Sequence, residues 1–217
     1  MRGAFLRSRF WGLGVAAVLA GAGLLIAAFP PYGRAGLAWV GLVPLILWAL
    51  RATPRAAFVA GWATGFLFWL GTLRWMLKLM ETSPAPAGIF IAAWIALAAC
   101  LAVYWGGFAW SLRRLAGWWD PARFWAPPLL TIAVPVLWVG WEYLRGLLFT
   151  GFPWNPLGVS QYRQWALIQV AEWGGVYTVS ALVALLNAGL ALTVDRYLRP
   201  AEQRRYRPHI ELFLAVA

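Results

Sequence analysis

Cysteine and histidine are almost missing from this chain of 217 residues: Cys100 and His209 each stand alone. A lone cysteine excludes an internal disulfide and a CxxC metal pair. Negative charge is also scarce, with seven carboxylates against eighteen basic residues, and Lys78 is the sole lysine. A nucleophilic thiol needs a base, a cation or a helix N-terminus beside it. The stretch Ala98-Ala99-Cys100-Leu101-Ala102 offers none of these, so Cys100 is predicted to pack rather than react. His209 falls among arginines, where solvation is the expectation. The predicted site therefore has no catalytic residue, no metal ligand and no cofactor.

What the chain has instead is apolar length. Hydrophobic residues make up 63% and charged residues 12%, where a soluble domain averages about 45–50% apolar and about 25% charged. A membrane-spanning helix needs about 20 mostly apolar residues. The runs of that kind are 10–29, 36–50 (short), 56–77, 87–112, 127–149 and 167–192. A further run begins at Glu211 and reaches Ala217 after barely two turns. The expected fold class is all-α: one polytopic transmembrane helix bundle over 1–217, with six complete spans and the start of a seventh.

The basic residues divide between alternate gaps. Arg2, Arg7, Arg9, Arg51, Arg55, Arg113, Arg114, Arg123, Arg196, Arg199, Arg204, Arg205 and Arg207 fall on one side; Arg34, Arg74, Lys78 and Arg163 fall on the other. The positive-inside rule places the first set, and the N-terminus, in the cytoplasm. Topology thus accounts for a net charge of +11, and no arginine-rich face points to nucleic acid. The first run has the look of a signal peptide, basic and then apolar with small residues at Ala27 and Ala28. Retaining it preserves the charge alternation, so it is read as a helix that stays.

Ionisable residues inside spans are costly and mark function by default. Glu142 and Arg145 stand three apart on the fifth span, share a face and can pair. Arg145 lies close enough to the outer end to snorkel toward lipid phosphates. Glu172 is a further candidate partner, or an ordinary interfacial residue. Gly61 and Gly65 form a GxxxG that points to close helix packing. Trp75, Trp118, Trp119, Trp125 and Trp165 fall at predicted interfaces.

The outward loops are the distinctive part. The longest, 150–162, carries prolines and glycines that force a turning path. Phe152, Trp154, Leu157 and Tyr162 give it an apolar, aromatic surface, and Asn155, Ser160 and Gln161 give it neutral hydrogen-bonding groups. The predicted lipid-binding set is Trp154, Phe152, Asn155, Gln161, Tyr162, Arg145 and Glu142.

These residues carry a family resemblance. The string Trp138-Val139-Gly140-Trp141-Glu142-Tyr143-Leu144-Arg145-Gly146, followed by Thr150-Gly151-Phe152-Pro153-Trp154 and Gly158-Val159-Ser160-Gln161-Tyr162, resembles the membrane half of bacterial apolipoprotein N-acyltransferases. Phe29-Pro30-Pro31-Tyr32-Gly33, Gly41-Leu42-Val43-Pro44-Leu45, Gly65-Phe66-Leu67-Phe68-Trp69-Leu70-Gly71 and Ala171-Glu172-Trp173-Gly174-Gly175-Val176-Tyr177 through Asn187 agree in order.

The resemblance implies a protein of the bacterial cytoplasmic membrane that serves lipoprotein maturation. The partners implied are a phospholipid acyl donor and a diacylglyceryl-apolipoprotein acceptor. The family's chemistry runs through a cysteine thioester, with a glutamate base and a lysine, in a nitrilase-like domain beyond the seventh span. Neither Lys78 nor Cys100 matches that pattern. The chain is therefore expected to be a truncated or split membrane half that admits lipid and anchors a catalytic domain, inactive alone. The alternatives are a non-catalytic subunit that recruits a separate catalytic partner, and a small transporter. A transporter would usually show repeats and paired polar groups at mid-membrane, and neither is evident.

Overall fold

The computed structural model describes residues 2–118 and 126–199, with side chains from residue 12 and, after the gap, from residue 127. The run from Glu211, together with Arg123, Arg204, Arg205, Arg207, His209, Trp119 and Trp125, lies outside the described residues. All regular structure within them is helical, so the all-α helix bundle is what the chain forms. Helix α1 runs Arg2–Ala28, and a 3-10 turn at Ala35–Leu37 leads into α2 (Ala38–Gly41) and α3 (Val43–Arg51). Next come α4 (Pro54–Thr72), a 3-10 stretch Arg74–Glu81, α5 (Ala87–Trp118) and α6 (Ala126–Leu147). Two short turns, α7 (Trp165–Ile168) and α8 (Ala171–Gly174), precede α9 (Val176–Tyr197).

Among the described residues, four stretches are long and apolar enough to cross a membrane: Pro54–Glu81, Ala87–Trp118, Pro127–Thr150 and Val176–Tyr197. Gly12–Ala28 and Ala35–Arg51 are shorter apolar helices. Two expected spans differ from what forms. The sixth, expected over 167–192, is not continuous; its helix begins only at Val176. Gly175 stands before it at φ +66°, ψ −156°, a conformation open essentially to glycine, and there the chain turns out of α8. The second span is segmented at Leu42. Pro44, in the first turn of α3, has no N–H to give to a preceding helix and crowds the carbonyl four residues back.

Asn187 of α9 repairs that break. Leu42 N donates to its Oδ1 at 2.8 Å, and its Nδ2 donates to Ala38 O at 2.9 Å and to Val183 O at 2.8 Å. The side-chain amide stands where a 42-to-38 helical bond would otherwise close. Freed backbone groups at membrane depth need such a partner, because lipid supplies none.

Lipid tails are as apolar as leucine, so bundle helices cohere through close packing and small residues. The expected role of the GxxxG holds between α4 and α5. A Cβ on Gly61 would lie 2.5 Å from Trp105 O, and one on Gly65 would lie 2.6 Å from the Trp105 ring. Trp105 in turn meets Phe68 (centroids 4.9 Å apart) and Trp138 of α6 (5.0 Å, edge-on). Cys100, expected to pack, is instead exposed on α5, since the contact face of that helix is taken by Ala98, Leu101, Ala102 and Trp105.

The charge alternation reappears in space. Asp195, buried, takes Arg51 at 2.7 Å and Arg199 at 2.6 Å, and Arg113 Nε donates to Ala52 O at 2.6 Å. The arginine-rich gaps thus meet at one end of the bundle. The loop 148–164 and the turn at 29–34 meet at the other, where Gln161 Nε2 donates to Ala35 O at 2.9 Å.

Candidate functional site

The loop that crosses this second end begins with a tight reversal. Phe149 (φ 52°), Thr150 (φ 74°) and Gly151 (φ 80°) are all left-handed in sequence. A Cβ on Gly151 would fall on the Gly146 carbonyl, so the position demands glycine. The chain then doubles back along α6, and Phe152 N donates to Arg145 O at 2.8 Å.

Arg145 and Glu142 hold this loop from beneath. Arg145 Nη1 donates to Phe152 O at 3.0 Å and to Trp154 O, while its guanidinium lies 4.9 Å from the Trp69 ring centre. Glu142 Oε1 accepts from Leu157 N at 2.6 Å and from Trp138 Nε1 at 2.9 Å. Its other oxygen makes no hydrogen bond. The cation thus gathers carbonyls from the first part of the loop, and the anion receives an N–H from the second.

The geometry departs from three expectations. Glu142 and Arg145 do not form a direct ion pair; the ion pairs among the described residues are those of Asp195. Arg145 is only 3% exposed and does not reach headgroups, because loop carbonyls satisfy it from inside. Gln161 and Ser160 are buried and present no surface to lipid. Gln161 Oε1 accepts from Trp39 Nε1 at 3.1 Å, so this glutamine pins the end of the loop to the start of the second span. Gly158 sits tightly on α9, where a Cβ would lie 2.5 Å from Val176 O, and its N–H donates to Ser180 Oγ at 2.8 Å.

What stays accessible is aromatic. Trp154 is half-exposed and stacks on Trp75 at 5.2 Å and 19°. Phe152 lies between Trp154 (5.9 Å) and buried Trp69 (5.7 Å, edge-on). A run of four rings therefore leads from the core to the surface. Tyr162 is exposed, with its hydroxyl beside Gly33, and Glu172 is exposed on α8.

Beneath the loop a cavity of about 20 Å³ is lined by Glu142, Arg145 and Asn155 together with Phe29, Trp105 and Trp138. That volume suits a water molecule, not an acyl chain. Asn155 reaches its place through a left-handed backbone, φ 46°. Sequence reasoning missed Trp69, Trp138 and Ser180 as supports. Trp138 was the findable one, since it stands four residues before Glu142 on the same helix face.

Residues 21–189 match the family described as the apolipoprotein N-acyltransferase N-terminal domain. The chain belongs to the apolipoprotein N-acyltransferase family. It is 40% identical over 175 residues to an apolipoprotein N-acyltransferase of Geobacter metallireducens, an alignment covering 80% of this chain and 32% of the relative. A Chromobacterium violaceum apolipoprotein N-acyltransferase is 38% identical over 183 residues (82% and 33%), and one from Nitrosomonas europaea 33% over 200 residues (90% and 37%). The chain spans about a third of the length of these curated relatives. The part matched to the acyltransferase domain contains the whole loop, both of its buried anchors and Asn187.

Proposed function

We propose that this chain is the membrane domain of an apolipoprotein N-acyltransferase and that its 150–162 loop admits the two lipid substrates. The donor is a phospholipid. The acceptor is the diacylglyceryl-cysteine at the start of an apolipoprotein. Acyl transfer itself belongs to a nitrilase-like domain joined in cis or supplied in trans. On this reading the arginine-rich end faces the cytoplasm of a bacterial inner membrane, and the loop faces outward.

The observation that carries the reading is the loop's two-sided construction. Its backbone is fixed from below by Arg145 and Glu142, while Trp154 and Trp75 remain half-exposed above. A rigid frame under an exposed aromatic wall suits lipid chains sliding past it. Glu142 and Arg145 act as positioning residues, and Trp154 as the contact surface. In enzyme carrying its catalytic domain, Trp154→Ala should slow N-acylation of a diacylglyceryl peptide by about tenfold, the rate equivalent of losing one aromatic contact. The yield of folded protein should hold. Unchanged transfer would remove Trp154 from the mechanism.

A further inference from the structure

Asn155 stands between the two buried anchors of the loop. The carbonyl of Trp154 that Arg145 Nη1 holds is bonded directly to the Asn155 nitrogen, and Glu142 Oε1 holds the N–H of Leu157 two residues on. The chain passes there from half-exposed Trp154 to buried Pro156, with Asn155 half-buried and left-handed at φ 46°. Asparagine tolerates that backbone because its short polar side chain can find a local hydrogen bond. Among the described residues the Asn155 side chain makes none. It lines the cavity beneath the loop instead.

Both anchors line the same cavity with bonding capacity to spare. The hydrogen bonds of Arg145 leave from Nη1, so Nε and Nη2 have no partner among the described residues. Glu142 keeps Oε2 without a hydrogen bond. At 3% and 6% exposure neither side chain is open to bulk solvent, and unmade hydrogen bonds at such depth are costly. Guanidinium and Asn155 amide flank one peptide unit, which brings them within the span of a single bridging molecule.

Charge selects what that molecule is. An anion would meet the Glu142 carboxylate and a cation the Arg145 guanidinium, in surroundings where like charges repel strongly. An apolar chain would leave the donors unmade. Water accepts and donates at once, and about 20 Å³ holds one molecule. Leu25, Phe29, Phe68 and Phe108 form other walls of the cavity and carry no polar side-chain atom, so they confine it to the polar edge.

We infer that one ordered water bridges Arg145 to Asn155 beneath the loop. Asn155 is then a positioning residue that fixes, through this water, the peptide carrying Trp154. The site requires only the folded loop and does not rest on the acyl-transfer reading.

The test joins a high-resolution map of the full chain in nanodiscs with thermal melts of Asn155→Gly. The wild-type map should show one compact peak within hydrogen-bond distance of both Arg145 and Asn155. Glycine relieves the left-handed backbone and loosens the unfolded chain, two effects of opposite sign and similar size, so the variant reports on the side chain. It should melt about 2–4 °C lower, the equivalent of one buried hydrogen bond, and its map should lose the peak. An unchanged or raised melting temperature would mean that Asn155 serves the backbone alone, and overturns the assignment. So does a peak that persists in the variant, a wild-type map without it, or the elongated density of a lipid chain in its place. If the variant does not fold, the wild-type map decides alone.

Discussion

Arg145 lies with its guanidinium 4.9 Å from the ring centre of Trp69, and both residues are buried. A charge at this depth is tolerable because one ring face and two backbone carbonyls, both reached through Nη1, receive it. The arginine is thus a keystone under the loop, which defines what its loss should do.

Arg145→Ala strands the Phe152 and Trp154 carbonyls and removes the cation from the Trp69 face. Each orphaned buried group costs about 1–3 kcal/mol, so the variant should lose about 2–5 kcal/mol and unfold at visibly lower temperature in detergent. Arg145→Lys should recover only part of that loss, because a point charge replaces a planar fork. Equal melting of wild type and Arg145→Ala would show that the loop does not hang on this residue.

Asn187 makes a sharper case, since its amide replaces one missing helical bond. Asn187→Leu keeps the volume but leaves Leu42 N and Ala38 O facing an apolar group. Polar contacts within membrane bundles average only about 0.6 kcal/mol. Here, however, both groups sit at a break in the helix, and a cost of about 2–4 kcal/mol is expected. Hydrogen exchange at Leu42 should rise along with the loss in thermal stability. A variant as stable as wild type would mean the segmented span satisfies itself.

Glycines of the α4–α5 contact should rank by what their absent side chains would strike. Gly61→Ala pushes against a backbone carbonyl that cannot swing aside, and Gly65→Ala against Cβ and Cγ of Trp105, which move only with a packed indole. Overpacking of this kind costs about 1–3 kcal/mol, with Gly61 expected at the upper end. Gly23→Ala, which meets nothing within 4 Å, is the control and should not destabilise. A reversed order in the melting temperatures would contradict the packing described for this pair of helices.

The helix bundle and the segregation of charge were legible because both follow from hydrophobic length and arginine position, which need no tertiary information. The turning path of the 150–162 loop was legible too, because prolines and glycines of that density constrain the backbone. The directions of its polar groups were not. Arg145 points inward because the carbonyls of Phe152 and Trp154 return to it after a left-handed turn, and no periodicity encodes that return. Gln161 is buried by partners more than a hundred residues away, Ala35 and Trp39. The late start of α9 was hidden for a different reason. Glycines are common inside membrane helices, so Gly174-Gly175 reads as part of a span until the backbone of Gly175 is seen.

Cys100 offers the most direct test of how the bundle meets its surroundings. It stands near the middle of α5, exposed on the outer surface, so a bilayer would cover it with lipid. A thiol there is kept from water and from the reagents dissolved in it. In intact membranes a charged, water-soluble maleimide should leave it unmodified, and denaturation should make it labile. On a Cys100→Ser background, Thr82→Cys should react from the outer side of intact cells, while Leu198→Cys should react only after lysis. That pattern would follow from arginines at the Asp195 end holding it in the cytoplasm. Rapid labelling of native Cys100 would place α5 against water, and labelling of Leu198→Cys from outside would invert the orientation proposed for the bundle and its loop.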